Sequence, residues 1–249
     1  MKIICERISK EFTTARGPLR VLEDFSAETR EHDLVCIMGP NGCGKSTLLN
    51  IMAGIIQPSS GRVVFEGGEP VPRPATLVFP EDGLFPWMDI LDNVCFGLKM
   101  SGVPQPKRYE MAEALLNEMG LMPFTQSYPY QLSTGMKQKA CLIRGLLTDA
   151  PVILMDEPDK SLDIYSKFLL CDDIHRVWER YRKTVVCVTH DIDMAMRLAR
   201  TIWVLGRRPA TIVKTIDLGE PGVKDNAARL EGWKREIAGI IRGEAEKRA

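Results

Sequence analysis

The feature that most constrains this chain is a glycine-rich segment between a predicted strand and a predicted helix. Leu34–Met38 is an apolar run typical of a buried strand, and a helix is predicted from about Lys45 to about Gly54. The segment fits the pattern GxxxxGK[ST]. Its residues are Gly39, Pro40, Asn41, Gly42, Cys43, Gly44, Lys45, Ser46 and Thr47. A strand, a glycine loop and a helix in this order predict a phosphate-binding loop.

The residue types in this loop suit the binding of MgATP. Glycines let successive backbone N–H groups turn towards phosphate oxygens, and the helix N-terminus adds the positive end of its dipole. We expect Lys45 to reach the outer phosphates, Ser46 to offer its hydroxyl to Mg²⁺, and Thr47 to contact the α-phosphate end. The alternative is a chance match in a glycine-rich turn, which the flanking strand and helix make improbable.

A second predicted strand ends in two carboxylates. Val152–Met155 is apolar, and Asp156 and Glu157 follow it directly. Because ligands bind at the carboxyl ends of parallel strands, both acids are expected beside the phosphate loop. Asp156 would hold Mg²⁺ through water, and Glu157 would polarise the attacking water. A strand that ends in solvated acids is the simpler alternative, but the phosphate loop favours the catalytic interpretation.

The segment Tyr130–Gln138, with the sequence YQLSTGMKQ, resembles the LSGGQ signature of ABC ATPases in its importer form. Alone it would read as an ordinary N-capped helix, but its position among the other motifs favours the signature. The resemblance implies that Ser133 and Gly135 contact the γ-phosphate held by an opposite subunit. A guanine-reading Asn-Lys-x-Asp motif is missing after the loop, which weakens the case for a GTPase.

Three further residues resemble landmarks of the ABC family, and the resemblance covers about residues 1–215. Asp163, in Ser-Leu-Asp, resembles the D-loop that couples the two sites of a dimer. His190 matches the switch histidine that senses the γ-phosphate. Phe12 matches the aromatic residue that stacks on adenine, a contact typically worth ~1–3 kcal/mol. For Phe12 and His190 the alternative is a purely structural residue.

Alternation of strands and helices predicts an α/β fold with a parallel sheet covered on both faces. The ABC resemblance implies a P-loop (RecA-like) core, an N-terminal antiparallel β-subdomain built from short strands, and an inserted helical subdomain. We place the core and β-subdomain at 1–85 and 151–220, the helical signature subdomain at 86–150, and a C-terminal helical tail at 221–249. One side of that tail is apolar, which predicts a helix packed on the domain rather than a regulatory module. Its apolar residues are Leu230, Trp233, Ile237, Ile240 and Ile241.

Composition narrows the classes of partner. Lys plus Arg and Asp plus Glu both number 33, so net charge gives no argument for nucleic acid or for an anionic membrane surface. The apolar runs are strand-sized and Glu6 interrupts the N-terminus, which predicts a cytosolic chain whose membrane role needs a partner. The seven cysteines, without CxxC spacing, are expected to be thiols in the core.

Four segments look like parts of the nitrate, sulfonate and taurine importer ATPases. They are Leu84–Met88, Asp92–Leu98, Gly42–Gly44 and Leu205–Ala210. The first two segments would form the groove that receives a helix of the membrane subunit, or simply a local hydrophobic cluster. The resemblance implies ATP and Mg²⁺ as cofactors, a second ATP-binding subunit as a homodimer partner, membrane permease subunits, and indirectly an extracytoplasmic solute-binding protein. The chain would then lie in the cytoplasm, peripheral on the inner face of the cell membrane.

Two positions depart from the family pattern. Pro80 stands where the Q-loop has its glutamine, and Thr134 replaces the first signature glycine. Losing a water-orienting group can cost ~10²–10⁴-fold in rate. The resemblance implies, as the first hypothesis, an ATP-hydrolysing subunit that energises a membrane importer. Because of these two departures, a nucleotide-gated regulatory or weakly hydrolysing subunit is a second hypothesis, and a non-transport ABC ATPase is a third. The solute stays open among nitrate, sulfonates, taurine and heterocyclic vitamin precursors.

Overall fold

A computed structural model gives the fold, and it describes residues 1–69, 71–79, 83–220, 222–223 and 226–243. The N-terminal part forms an antiparallel sheet in the order β2-β1-β4, from β1 (Lys2–Thr14), β2 (Gly17–Glu28) and β4 (Ser60–Glu66). The antiparallel subdomain is confirmed, but β1 and β2 span 13 and 12 residues, so the expectation of short strands was wrong. Shifts in register between Cys5 and Glu11 let these long strands bend.

The central sheet has six strands in the order β5-β6-β7-β3-β8-β9. They are β3 (Leu34–Met38), β5 (Ala75–Val78), β6 (Val152–Asp156), β7 (Thr184–Val188), β8 (Thr201–Leu205) and β9 (Ile212–Asp217). Pairing is parallel from β5 to β8, as predicted, whereas β9 adds to the edge in the antiparallel sense. The parallel strands bring their carboxyl ends to one edge, where the phosphate loop begins.

The side chains of buried strand β3 face two hydrophobic cores, one on each side of the central sheet. Val35 and Ile37 face a core shared with the N-terminal sheet and with α1 (Lys45–Met52), which also contains Phe25 and Trp203. Leu34, Cys36 and Met38 face the other core, because successive strand side chains point to opposite faces. Helices α5 (Ile164–Tyr181) and α6 (Ile192–Leu198) contribute to that second core. All seven cysteines are buried thiols, as expected.

Helices α2 (Ile90–Met100), α3 (Gln105–Glu118) and α4 (Thr134–Leu146) lie between β5 and β6 in the chain. Asp89 caps α2 by accepting from Asp92 N, and Gly120, just beyond the C-cap Met119 of α3, has φ +71°. The inserted helices are therefore confirmed. The domain boundaries at 86–150 and 151–220 stay predictions.

The tail contains α7 (Ala227–Arg242), which lies within the predicted helical tail at 221–249. Residues 224, 225 and 244–249 lie outside the described residues. Ile237 and Ile240 are buried, and Leu230, Trp233 and Ile241 pack against the same core, so the packed-helix prediction is confirmed. Among the described residues, no helix combines the length and apolar character that a bilayer crossing requires.

Candidate nucleotide-binding site

The phosphate loop joins β3 to α1 and depends on glycine at a crowded point. Gly44 precedes α1 with φ +127°, a conformation that L side chains rarely adopt. A Cβ at this position would also lie 2.8 Å from Val21 Cγ1. The loop can therefore turn into the helix only because Gly44 has no side chain.

Lys45 is the first residue of α1 and is buried. Its Nζ donates to the carbonyl oxygens of Gly39 at 3.0 Å and Pro40 at 2.9 Å, so the loop itself holds the ammonium group. Burial lowers the pKa of Lys45, whereas nearby Asp156 and Glu157 act in the opposite direction. The arrangement fixes a cation at the mouth of the phosphate loop.

Ser46 and Asp156 meet although they lie far apart in sequence. Ser46 Oγ donates to Asp156 Oδ1 at 3.1 Å, because α1 starts beside the end of β6. Burial raises the pKa of Asp156, and the hydrogen bond from Ser46 partly offsets it. Mg²⁺ prefers oxygen ligands and commonly combines one or two protein groups with phosphates and water, so this pair fits it. Within the described part of the chain, no cluster of three His, Cys, Asp or Glu residues suits a metal ion.

Glu157 and His190 form a second pair at the same sheet edge. His190 Nε2 lies 2.5 Å from Glu157 Oε1, and both residues line the cavity above the phosphate loop. Glu157 has φ +49°, in the left-handed region that is unfavourable for a residue with a side chain. Its backbone N–H donates to Val188 O at 2.9 Å, which ties this conformation to β7. Strained residues of this kind cluster at functional sites.

One cavity of about 950 Å³ unites most of the predicted residues. The predicted residues that line it are Phe12, Asn41, Gly42, Gly44, Lys45, Ser46, Thr47, Glu157 and His190. Four more lining residues were not predicted as site residues: Leu19, Val21, Arg208 and Ile241. Gly39, Pro40, Cys43 and Asp156 contact or adjoin lining residues without lining the cavity themselves.

Phe12 belongs to an apolar rim on the β1–β2 hairpin. It pairs with Leu19 across the hairpin, and Lys10 Nζ lies 5.0 Å from the centroid of its ring. Val21 follows on β2, next to Gly44. Leu19 and Val21 both line the cavity, and the register shift of the hairpin between Lys10 and Glu11, which leaves Val21 unpaired, is not visible in the sequence.

The signature residues lie elsewhere. Ser133 caps α4 by accepting from Met136 N at 3.3 Å, and Thr134 begins the helix. Ser133 and Gly135 line a separate small cavity of about 190 Å³, together with Leu162 and Ser166. A single chain therefore does not bring the signature segment to its own phosphate loop.

Asp163 also lies outside the large cavity. It caps α5 by accepting from Ser166 N at 3.0 Å and from Ser166 Oγ at 2.6 Å, and these hydrogen bonds lower the pKa of its carboxyl. Helix capping accounts for this residue within one chain. Its expected part in coupling two sites stays a prediction.

A buried ion network beside Glu157 was not predicted. Asp159 is buried and accepts from Thr189 Oγ1 at 3.0 Å, while Lys167 Nζ lies 3.5 Å from Asp159 and 2.7 Å from Asp191. Burial raises the pKa of Asp159. Thr189 and Asp191 flank His190, so this network fixes the backbone of the switch segment.

Of the two departures from the family pattern, the structure describes Thr134 only, whereas it describes the whole proposed interface segment from Leu84 to Leu98. Pro80 lies outside the described residues, as do Glu81 and Asp82. The ring of Phe85 packs at a tilt against those of Trp87 and Phe96, with centroids 5.5 Å and 4.6 Å away. We name Phe85, Trp87 and Phe96 the aromatic patch; Trp87 is 70% exposed.

Comparison with known proteins assigns the family. Residues 22–160 match the family model described as ABC transporter. An uncharacterized ABC transporter ATP-binding protein of Methanocaldococcus jannaschii is 36% identical over 99% of this chain and 94% of its own. The nitrate import ATP-binding protein NrtD of Synechocystis sp. is 36% identical over 95% and 93%, and the taurine import ATP-binding protein TauB of Pseudomonas entomophila is 38% identical over 86% and 82%.

Solved structures agree. A dimeric structure of a bacterial ABC transporter cassette superposes with a TM-score of 0.75 and 28% identity, over 87% of this chain and 98% of the cassette. A related dimeric structure, of a post-hydrolysis state bound to ADP and Pi, superposes with a TM-score of 0.74. The chain therefore belongs to the ABC transporter family, and it is an ATP-binding ATPase of that family.

Proposed function

We propose that this ATPase energises a membrane importer for a small anionic solute such as nitrate or a sulfonate, and that two copies close around two MgATP molecules. One observation carries the proposal. Lys45, Ser46, Glu157 and His190 line a single cavity, while the signature serine lies outside it. Such a site binds and orients a triphosphate but needs a second surface to cover it.

Within one site, catalysis would rest on positioning and on charge neutralisation. Lys45 and the loop N–H groups would hold the outer phosphates. Glu157 would orient the attacking water, and His190, 2.5 Å from its carboxylate, would fix the orientation of Glu157. Ser46 and Asp156 would hold Mg²⁺, which supplies further charge neutralisation on the phosphate oxygens when bound.

The second surface would be the signature segment of another copy. Ser133 and Gly135 lie at the start of α4, where a helix N-terminus favours an anion. A homodimer is supported by the dimeric cassettes that resemble this chain. Asp163 would then adjoin the interface, since Leu162 and Ser166 share the small cavity of Ser133.

The remaining partners follow from the importer relatives. We infer that permease subunits receive the exposed aromatic patch, because aromatic anchors are common at the centre of interfaces. The chain would lie at the inner face of the cell membrane and would act with an extracytoplasmic solute-binding protein through the permease. The nitrate and taurine relatives support a small solute that is nitrate or carries a sulfonate group. We also retain the division into core, helical subdomain (86–150) and tail as a proposal.

Complementation between two inactive variants tests the shared site. We expect Lys45→Ala and Ser133→Arg each to abolish steady-state phosphate release. A mixture should recover activity, because a heterodimer contains one site with an intact Lys45 and an intact Ser133 from different chains. The matched control mixes Lys45→Ala with the double variant, which leaves no intact site. If heterodimers form in the first mixture but phosphate release does not recover, the two chains do not share a site.

The hydrolytic role has its own test. Wild-type phosphate release should disappear in Glu157→Gln while ATP binding persists. The regulatory or weakly hydrolysing alternative is not favoured, since the relatives NrtD and TauB are import ATP-binding proteins. If the wild-type chain bound ATP without hydrolysing it, and Pro80→Gln restored hydrolysis, the regulatory alternative would be favoured instead.

A further inference from the structure

The C-terminal helix reaches the nucleotide cavity. Ile241, next to the last residue of α7, lines that cavity together with Phe12 and the phosphate loop. The family model matches residues 22–160, so α7 lies outside the matched segment. The cavity thus contains a lining residue that belongs to the C-terminal tail.

Packing holds α7 firmly in this position. Ile237 is fully buried and Ile240 is 8% exposed, so the inner face of the helix belongs to the core. Ion pairs fix its flanks: Lys234 Nζ lies 2.5 Å from Asp193 on α6, and Glu236 lies 3.0 Å from Lys214 on β9. Ile241 therefore lies on a helix whose inner face packs on the core.

Two consecutive arginines connect the end of α7 with the phosphate loop. A side chain at Gly243, the residue that caps α7, would overlap the guanidinium of Arg207. Arg208 Nε donates to Gly42 O at 3.0 Å, and Arg208 lines the cavity. The helix end and the loop therefore share one short connecting segment.

The lining of the cavity differs in chemistry between its parts. Phosphate-loop residues supply N–H groups, Lys45 and hydroxyls, whereas the β1–β2 hairpin and α7 supply the apolar side chains of Phe12, Leu19, Val21 and Ile241. Charged phosphates match the first set, and a flat heterocyclic base matches the second. Ile241 thus belongs to the part of the lining that suits the base.

We propose that α7 forms a wall of the nucleotide site and that Ile241 contacts the base of the bound nucleotide. The tail then contributes to affinity for nucleosides but not to affinity for phosphates. This inference rests on the proposed use of the cavity for ATP. It assigns a direct role in nucleotide recognition to a helix that otherwise only packs on the domain.

The test compares ATP with inorganic tripolyphosphate, which has the phosphates without the base. By titration calorimetry, we expect Ile241→Ala to raise the Kd for ATP about 3–10-fold, the range for losing part of one half-buried aliphatic side chain. The Kd for tripolyphosphate should stay unchanged. Ile241→Gln keeps a long side chain at this position but removes its apolar character, so it should raise the Kd for ATP by a similar factor.

Leu230→Ala is the matched control, since Leu230 packs against the core from the same helix but lies away from the nucleotide cavity. It should leave both Kd values unchanged, and urea midpoints will show which variants are folded. The inference would be overturned if both Ile241 variants bound ATP with unchanged affinity. It would also be overturned if the variants lost affinity for ATP and for tripolyphosphate by the same factor. A wild-type chain that binds neither compound would instead refute the proposed function.

Discussion

Replacement of Asn93 tests whether one buried amide holds the loop that carries the aromatic patch. Asn93 is fully buried in α2. Its Oδ1 accepts from Phe85 N at 2.8 Å, and its Nδ2 lies 3.0 Å from the carbonyl oxygens of Phe85, Met88 and Asp89. One side chain thus fixes the backbone from Phe85 to Asp89.

The cost of Asn93→Leu can be worked out from these bonds. The carbonyls of Phe85 and Asp89 keep other donors, Met88 N at 3.1 Å and Asn93 N at 2.9 Å. The loss therefore concentrates on the Phe85 N–H and the Met88 carbonyl. At ~1–3 kcal/mol for each buried group without a partner, and with both residues only partly buried, we expect a loss of about 2–4 kcal/mol in the free energy of unfolding.

Urea denaturation of the purified chain measures this loss, with Asn117→Leu as the control. Asn117 is an exposed residue of α3, and its replacement should change stability by less than about 0.5 kcal/mol. ATP affinity should survive in Asn93→Leu, because Asn93 does not line the nucleotide cavity. ATPase stimulation by a permease should fall. An unfolding free energy for Asn93→Leu equal to that of the control variant would refute the reasoning.

Three further changes give separate checks. Gly145→Ala should lower the free energy of unfolding, measured in urea, by about 1–3 kcal/mol, because the new Cβ would lie 2.5 Å from Val78 Cγ2. The control Gly232→Ala, which has open space around it in α7, should leave that free energy unchanged or raise it. Equal effects of the two substitutions would contradict this packing. Burial raises the pKa of Asp159 above its unfolded value, so its contribution to stability is complete below the unfolded pKa and is lost as pH rises through the folded pKa. Asp159→Asn should therefore lose less stability than wild type as the pH rises above about 4, the ordinary pKa of an Asp carboxyl. Parallel curves of unfolding free energy against pH for the two proteins would count against a raised pKa of Asp159. Ser46→Ala should weaken the Mg²⁺ dependence of ATP binding in a Mg²⁺ titration, and an unaltered titration would exclude Ser46 as a ligand.

The sequence by itself determined the elements whose signals are local. An apolar run, a glycine at a left-handed position and a capping side chain act within a few residues, so β3, the phosphate loop and the capped start of α4 were predicted with their positions. The family resemblance also ordered the motifs. That order was enough to anticipate the pairing of the loop with Asp156 and Glu157.

Only the tertiary structure decided which distant residues share a surface. Register in the β1–β2 hairpin places Leu19 opposite Phe12, and packing of α7 brings Ile241 to the same cavity. The structure also separates Ser133 from the phosphate loop of its own chain. These outcomes depend on packing between elements far apart in sequence, and neither periodicity nor residue spacing encodes the distance between two such elements.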